Sequence, residues 1–137
     1  MKFLAPPLRA LVDQAARDGE QIFKAVGCGA CHVPVLQTGV NAHPLFSRKP
    51  VPLFSDLLLH DVGTGDDIPQ ESALPNEIRT PSLWGLRARR PLLHDGSAST
   101  AEDAIRRHRG EADGVRRRFE QLTDGQRSRL ISFLNSL

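Results

Sequence analysis

The sequence predicts an all-α fold, in which a few helices are joined by long ordered loops. Apolar residues keep helical spacing near both ends of the chain, while the middle is rich in proline. No segment shows the alternation of apolar and polar residues that is typical of a half-buried strand. A chain of 137 residues fits one domain. We therefore expect a single hydrophobic core.

The first predicted helix covers residues 8–26, where most apolar residues recur at helical spacing. Asp18-Gly19 is the expected break in this helix, because both residues are poor helix formers. We place a domain boundary there. Residues 1–17 are expected to form a helical N-terminal extension, and residues 18–137 the main domain.

The middle of the chain, residues 33–99, holds eight of the ten prolines and shows no helical period. A long irregular connection is uncommon inside a packed domain unless it is functional or encloses something. We therefore expect an ordered loop that surrounds a buried group.

Three helices are predicted after this loop. The Thr100 hydroxyl can cap the first, with Asp103 in the position of a capping-box partner. Residues 111–122 form the second. Thr123 and Gln126 make a capping box for the third. The third helix carries one apolar stripe, formed by Leu130, Ile131, Phe133, Leu134 and Leu137.

Charge is unevenly distributed along the chain, although the formal net charge is only +2. Residues 51–78 contain six acids and no Lys or Arg, whereas residues 87–129 contain eleven arginines. Such asymmetry favours either docking of a charged partner or an ordinary solvated helical face. No stretch is long and apolar enough to predict a membrane span, and no pattern predicts binding to nucleic acid.

Cys28-Gly29-Ala30-Cys31-His32 matches the attachment motif of c-type haem. Two thiols three positions apart can bond both vinyl groups, and the adjacent imidazole can reach the iron. A thioredoxin-like redox pair would need a βαβ pattern, which is absent. A zinc site would need two further ligands, commonly Cys or His, and the chain has no other cysteine. We therefore predict one covalently bound haem c with His32 as axial ligand, and a cytochrome c-like domain.

Covalent attachment of haem predicts a periplasmic or otherwise extracytoplasmic protein. Residues 1–17 lack the long apolar core of a secretory signal. We therefore expect that a signal has been removed or that the chain is the tail of a longer gene product.

The second axial position is not filled by methionine, because the only methionine is Met1 at the terminus. An open coordination position is one alternative. Otherwise the candidate ligands are His43, His60, His94, His108, Lys2, Lys24 and Lys49. His108 lies on the helix predicted to start at Thr100, so a rigid element can present its imidazole to the iron.

His60 and His94 share a local sequence, Leu-Leu-His-Asp with a glycine shortly after. The apolar pair can bury the chain, and the following Asp61 or Asp95 can orient the imidazole. We expect both histidines to hold loops near a haem propionate or the haem edge. The residues alone do not exclude either one as an iron ligand.

The arrangement of motifs resembles the C-terminal haem domain of the di-haem oxidoreductases, relatives of bacterial di-haem cytochrome c peroxidase. The resemblance covers residues 18–137. It rests on motifs in the family's order: Gly19-Glu20-Gln21-Ile22-Phe23, the Cys28–His32 motif, Leu57-Leu58-Leu59-His60-Asp61-Val62-Gly63, Arg79-Thr80-Pro81-Ser82-Leu83-Trp84-Gly85-Leu86, Leu92-Leu93-His94-Asp95-Gly96 and Ala104-Ile105 with His108-Arg109-Gly110-Glu111-Ala112.

The resemblance implies a role for His108. It lies fourteen residues after His94, where the peroxidases have the methionine ligand of the haem through which electrons enter, and where this branch has histidine. A bis-histidine haem has a lower potential than a His/Met haem, because thioether ligation raises the potential. Family members have two haem domains, whereas this chain has one attachment motif. A second haem domain is therefore an expected partner.

The resemblance also bears on four other residues. Trp84 is either a core residue or a relay toward a neighbouring haem, and Arg79 is a candidate partner of a propionate. The carbonyls of Arg89 and Pro91 match the region of a calcium site in the peroxidases. We do not predict calcium here.

The function expected from these residues is electron transfer from a redox protein donor, through a bis-histidine haem, to a second haem domain or another acceptor. The alternative is a peroxidase-type enzyme with an open iron, in which His60 or His94 would act as acid or base. A haem-based sensor of gas or redox state is a third hypothesis, supported by the haem alone. The sequence does not indicate the oligomeric state.

Overall fold

The computed structural model describes residues 6–137, which contain four α-helices and four short β-strands. The helices are α1 (Gln14–Val26), α2 (Ala101–Arg107), α3 (Asp113–Glu120) and α4 (Asp124–Ser136). The strands are β1 (Leu36–Gln37), β2 (Pro50–Val51), β3 (Leu59–Asp61) and β4 (Glu77–Arg79). The fold is helix-rich, with 40% helix and 11% strand, so the all-α prediction is correct only in part.

The strands form two antiparallel pairs, β1 with β2 and β3 with β4. Each strand is only two or three residues long, so the sequence contains too few positions for an alternating pattern. Apart from these pairs and two short 3-10 turns, residues 33–99 are mostly irregular, as predicted. The pairs satisfy backbone groups within the loop.

Helix α1 is shorter at its start than predicted and is not broken in its middle. It begins at Gln14 because the Asp13 carboxylate accepts a hydrogen bond from the Ala16 amide. Residues 6–13 are not helical, and residues 1–5 of the predicted helical extension lie outside the described part of the chain. The Ala10 amide donates to the Ser136 carbonyl, which fixes this segment to the end of α4.

Gly19 lies inside α1, at the position where α1 approaches α4 most closely among the described glycine contacts. A Cβ added there would lie 2.0 Å from the Arg129 carbonyl oxygen and 2.8 Å from the Phe133 Cβ. The glycine therefore permits close helix packing, which explains why the predicted break at Asp18-Gly19 does not occur.

The core is built around α1 and α4. The Phe23 and Phe133 rings meet edge to face, with centroids 5.2 Å apart. Further buried members include Val26, Phe54, Leu83, Leu86, Leu92, Phe119, Leu130, Leu134 and Leu137. Helix α4 starts with the predicted capping box of Thr123 and Gln126.

The Thr100 hydroxyl caps α2 by accepting from the Asp103 amide, as predicted. Residues 110–112 form a 3-10 turn, so the helix predicted over 111–122 is shorter and is confined to α3. Many of the arginines in this half bind nearby acids: Arg106 pairs with Glu102, and Arg116 with Asp113. No helix in residues 6–137 has the length and apolar character required to cross a membrane.

Candidate haem site

The cysteine motif forms a tight turn at the end of α1. Gly27 ends the helix with φ 97°, a conformation that glycine adopts easily. Residues 28–30 then form a 3-10 turn, in which the His32 amide donates to the Cys28 carbonyl over 3.0 Å. Arg118 of α3 donates through Nε to the Val26 carbonyl over 2.7 Å. The turn is thus held by both α1 and α3.

Cys28 and Cys31 form no disulfide, and the surroundings raise the pKa of both thiols. Burial raises the pKa of the Cys28 thiol to about 11. Burial also raises the pKa of the Cys31 thiol, and the negative charges of Asp56 and Glu111 add to the effect. A reactive redox cysteine has a lowered pKa instead, so the environment disfavours the thioredoxin-like interpretation.

His32 is held by a backbone carbonyl. Its Nδ1 lies 3.0 Å from the Phe54 carbonyl oxygen, which can only accept, so Nδ1 donates and Nε2 keeps its lone pair. Burial lowers the pKa of His32 to about 4. The imidazole is therefore neutral at pH 7, in the form that binds a metal.

His108 is held in the same way at the C-cap of α2. Its Nδ1 lies 2.7 Å from the Ala104 carbonyl oxygen and donates to it, which again leaves the Nε2 lone pair available. Two thiols in one turn and two imidazoles with available Nε2 atoms are the donors that a covalently attached, bis-histidine haem requires.

His60 lies between two carboxylates. Its Nε2 is 2.9 Å from Asp56 Oδ2 and its Nδ1 is 2.8 Å from Glu111 Oε2. The hydrogen bond to Glu111 raises the pKa of His60 most, and the hydrogen bond to Asp56 raises it further. The predicted orienting residue, Asp61, instead accepts from the Gly63 amide.

His94 is exposed and pairs with Asp66, with 2.7 Å between Nε2 and Oδ2. Asp95, the predicted orienting residue, accepts from the Ser97 amide. For both histidines, the prediction that the following aspartate orients the ring was wrong, because these aspartates stabilise their own turns. The carboxylate partners come from other parts of the chain.

Arg79 is the last residue of β4 and is exposed; it forms no ion pair within residues 6–137. Trp84 is half-buried and lies outside the buried core. It lines a cavity of about 40 Å³, together with Pro6, Pro7, Arg9, Pro52, Phe54 and Leu137. Phe54 lines the same cavity as Trp84, and its carbonyl accepts the hydrogen bond from His32. Phe54 therefore lies between Trp84 and the cysteine turn.

A helix-rich domain with this donor set has the character of a cytochrome-type haem domain. The sequence model of one family, described as "Di-haem oxidoreductase, putative peroxidase", matches residues 2–137. The chain belongs to this di-haem oxidoreductase family, which confirms the resemblance found in the sequence. Membership implies haem binding and an oxidoreductase context. No match to a curated protein sequence is found.

The solved structures that are similar to the chain include the following two. One is hydrazine synthase from Kuenenia stuttgartiensis, pressurised with xenon, with a TM-score of 0.63 and 25% identity over 98% of this chain and 51% of that chain. The other is a MauG-like protein associated with microbial copper homeostasis, with a TM-score of 0.57 and 21% identity over 93% of this chain and 48% of that chain. The second supports the fold alone. The chain spans about half the length of both.

Sequence reasoning missed four groups that support the site: the carbonyls of Phe54 and Ala104 and the carboxylates of Asp56 and Glu111. Ala104 was accessible in principle, because a carbonyl four residues before His108 lies under it in a helix. The other three are brought close only by the folded loop.

Proposed function

We propose that this chain is an electron-transfer domain that carries one covalent haem c on Cys28 and Cys31, with His32 and His108 as axial ligands. The observation that carries the proposal is the matching arrangement of the two imidazoles. Each donates Nδ1–H to a backbone carbonyl and keeps Nε2 as a lone-pair donor. When bound, the haem supplies a one-electron iron couple.

The chain's own residues hold the ligands in place. The Phe54 carbonyl fixes the tautomer and ring direction of His32, and the Ala104 carbonyl does the same for His108. Burial keeps His32 neutral, which favours metal binding over protonation. With His32 and His108 both as ligands, the iron would have no position open to substrate.

Three further residues are proposed to support the cofactor. Arg79, exposed and without an ion pair in residues 6–137, is available to bind a propionate. His94 is proposed near the haem edge, with Asp66 rather than Asp95 as its partner. Trp84, half-buried beside Phe54, is proposed as a relay toward a second haem.

Family membership suggests the setting of this domain. Because the chain spans about half the length of its structural neighbours, we propose that it receives electrons from a redox protein and passes them to a second haem domain or another acceptor. Covalent haem attachment favours a periplasmic location, as expected from the motif. A peroxidase with an open iron in this domain is the alternative: both His60 nitrogens bind carboxylates, which disfavours His60 as acid or base, whereas His94 binds Asp66 through Nε2 alone.

The test is to record visible and electron paramagnetic resonance spectra of the ferric haem-loaded protein and its His108→Ala variant. We expect low-spin iron in the unsubstituted protein and loss of the low-spin signal in the variant. His43→Ala is the matched control, because the same change is made in a half-buried histidine of a separate loop. A low-spin signal that survives His108→Ala, or a high-spin unsubstituted protein that binds cyanide readily, would contradict the proposal.

A further inference from the structure

One loop supports the segments of both proposed axial ligands. Residues 54–63 begin at Phe54, whose carbonyl accepts from His32. Near the other end, the Val62 carbonyl accepts from the Arg109 amide over 3.0 Å. Arg109 directly follows His108. A movement of this loop would therefore change the position of one imidazole relative to the other.

His60 lies in strand β3, within residues 54–63, and its side chain binds carboxylates on both sides. Asp56, on one side of the ring, belongs to the same loop, and its amide donates to the Cys31 carbonyl over 2.8 Å. Glu111, on the other side, follows His108 by three residues and also accepts from the Asp61 amide through Oε1, over 3.0 Å. Two acceptors require two N–H donors, so the ring is an imidazolium. Its raised pKa agrees with this.

The backbones that His60 joins are already in close contact. Gly110 has φ 51°, and a Cβ there would lie 2.4 Å from the Asp61 carbonyl oxygen. A Cβ on Gly63 would lie 3.0 Å from the Arg109 Cβ. The segment after His108 therefore rests on the loop with little space between them, and the His60 hydrogen bonds lie at this contact.

A metal site is the competing interpretation of the cluster. One donor atom each of Cys31, Asp56 and His60 lie within 4.8 Å of one another. However, both His60 nitrogens already bind carboxylates, and attachment of a haem converts the Cys31 thiol into a thioether. The geometry fits a double salt bridge better than a metal ion.

We propose that His60 is a positioning residue that holds residues 54–63 against the segment after His108 and so fixes His108 relative to the Cys28–His32 turn. The inference rests on the proposed function, because it assumes that His108 is the second ligand. His60 itself contacts neither substrate nor iron.

The experiment compares His60→Ala and Glu111→Gln with a matched control, Glu102→Gln. Glu102 forms a surface ion pair of 2.8 Å with Arg106 on α2, so the control removes a similar carboxylate near His108 without affecting His60. The measurement is the affinity of the ferric haem-loaded protein for added imidazole, which competes with His108. We expect about tenfold tighter binding in both test variants, the effect of losing one charge-assisted hydrogen bond at a partly exposed site. We expect no change in the control.

A double variant and hydrogen exchange make the test specific. If the two residues act as one pair, Glu111→Gln has a smaller effect in the His60→Ala background than alone, because only the bond from the Asp61 amide to Glu111 then remains to be perturbed. The amides of Asp61 and Arg109 are expected to exchange about tenfold faster in the test variants than in Glu102→Gln. Far-ultraviolet circular dichroism checks that each variant is folded, and Glu111→Gln keeps the size of the side chain.

The two proposals fail in different ways. If His108→Ala keeps the low-spin signal, the proposed function is wrong, while the exchange of the Asp61 and Arg109 amides still tests the role of His60. If imidazole affinity and exchange in His60→Ala and Glu111→Gln equal those of Glu102→Gln, the positioning role is overturned. An effect of Glu111→Gln that is equally large with and without His60 would also overturn it.

Discussion

Substitution of Gly19 by alanine tests the close packing of α1 on α4, which supports the cysteine turn. In a helix exposed to water, this change stabilises by about 1 kcal/mol, because alanine is the better helix former. Here the new Cβ would lie 2.0 Å from the Arg129 carbonyl oxygen, whereas ordinary Cβ contacts begin at 3.4 Å. The helices must therefore separate by up to about 1.4 Å, the difference between these two distances.

The free-energy cost of separating the helices depends on how tightly the residues of α4 next to Gly19 are packed. Phe133 is fully buried, and its Cβ would lie 2.8 Å from the new methyl group, so neither the backbone nor this side chain can move freely. Overpacking of this kind costs about 3 kcal/mol, at the upper end of the usual range. After the helix-propensity gain, we expect a net loss of about 2 kcal/mol and a fall in Tm of roughly 6 °C.

The assay is thermal unfolding of the haem-loaded protein, followed by circular dichroism at 222 nm. Gly125→Ala is the matched control, because it makes the same change at an exposed position of α4, where nothing lies within 4 Å of the added Cβ. We expect the control to be as stable as the unsubstituted protein or slightly more so. A Gly19→Ala variant with an unchanged or higher Tm would refute the packing argument.

Two other predictions concern local interactions. Thr123→Ala removes the capping box with Gln126, so we expect a loss of about 1 kcal/mol in urea-induced unfolding; an unchanged midpoint would contradict the role of the cap. The stability that His60 contributes depends on pH. Because the pKa of His60 is raised in the folded protein, its contribution is lost as pH rises above about 6.5 and through the folded pKa. Because the pKa values of Asp56 and Glu111 are lowered, their contribution is lost as pH falls below about 4. The difference in unfolding free energy between unsubstituted protein and His60→Ala is therefore expected to be largest between about pH 4.5 and 6.5, and a difference independent of pH would be inconsistent with the ion pairs.

Local features of the fold were predictable from the sequence. The caps at Thr100 and Thr123 act over three residues, so the sequence contains both partners. The cysteine motif is also readable from the sequence, because Cys28, Cys31 and His32 lie within five consecutive residues. The family resemblance, which depends on the order of several such motifs, was confirmed over nearly the whole chain.

Features that depend on distant contacts were not predictable. Gly19 appeared to be a helix breaker, because its contact with Arg129 exists only after α1 and α4 have packed. Likewise, His60 has an adjacent aspartate in the sequence but binds Glu111, 51 residues away. In both cases local propensity was a poor guide, since a tertiary contact decides the role of the residue.

Phe54 shows how core and site depend on each other. Its φ of 54° is unusual for a bulky residue and costs about 1 kcal/mol or more. In this conformation its carbonyl accepts from His32. Its ring is buried edge to face against Phe23 and Phe133, with centroids 6.1 Å and 5.8 Å away. Burial of an aromatic side chain contributes about 2 kcal/mol or more, so the core contacts offset the backbone strain that orients the His32 support.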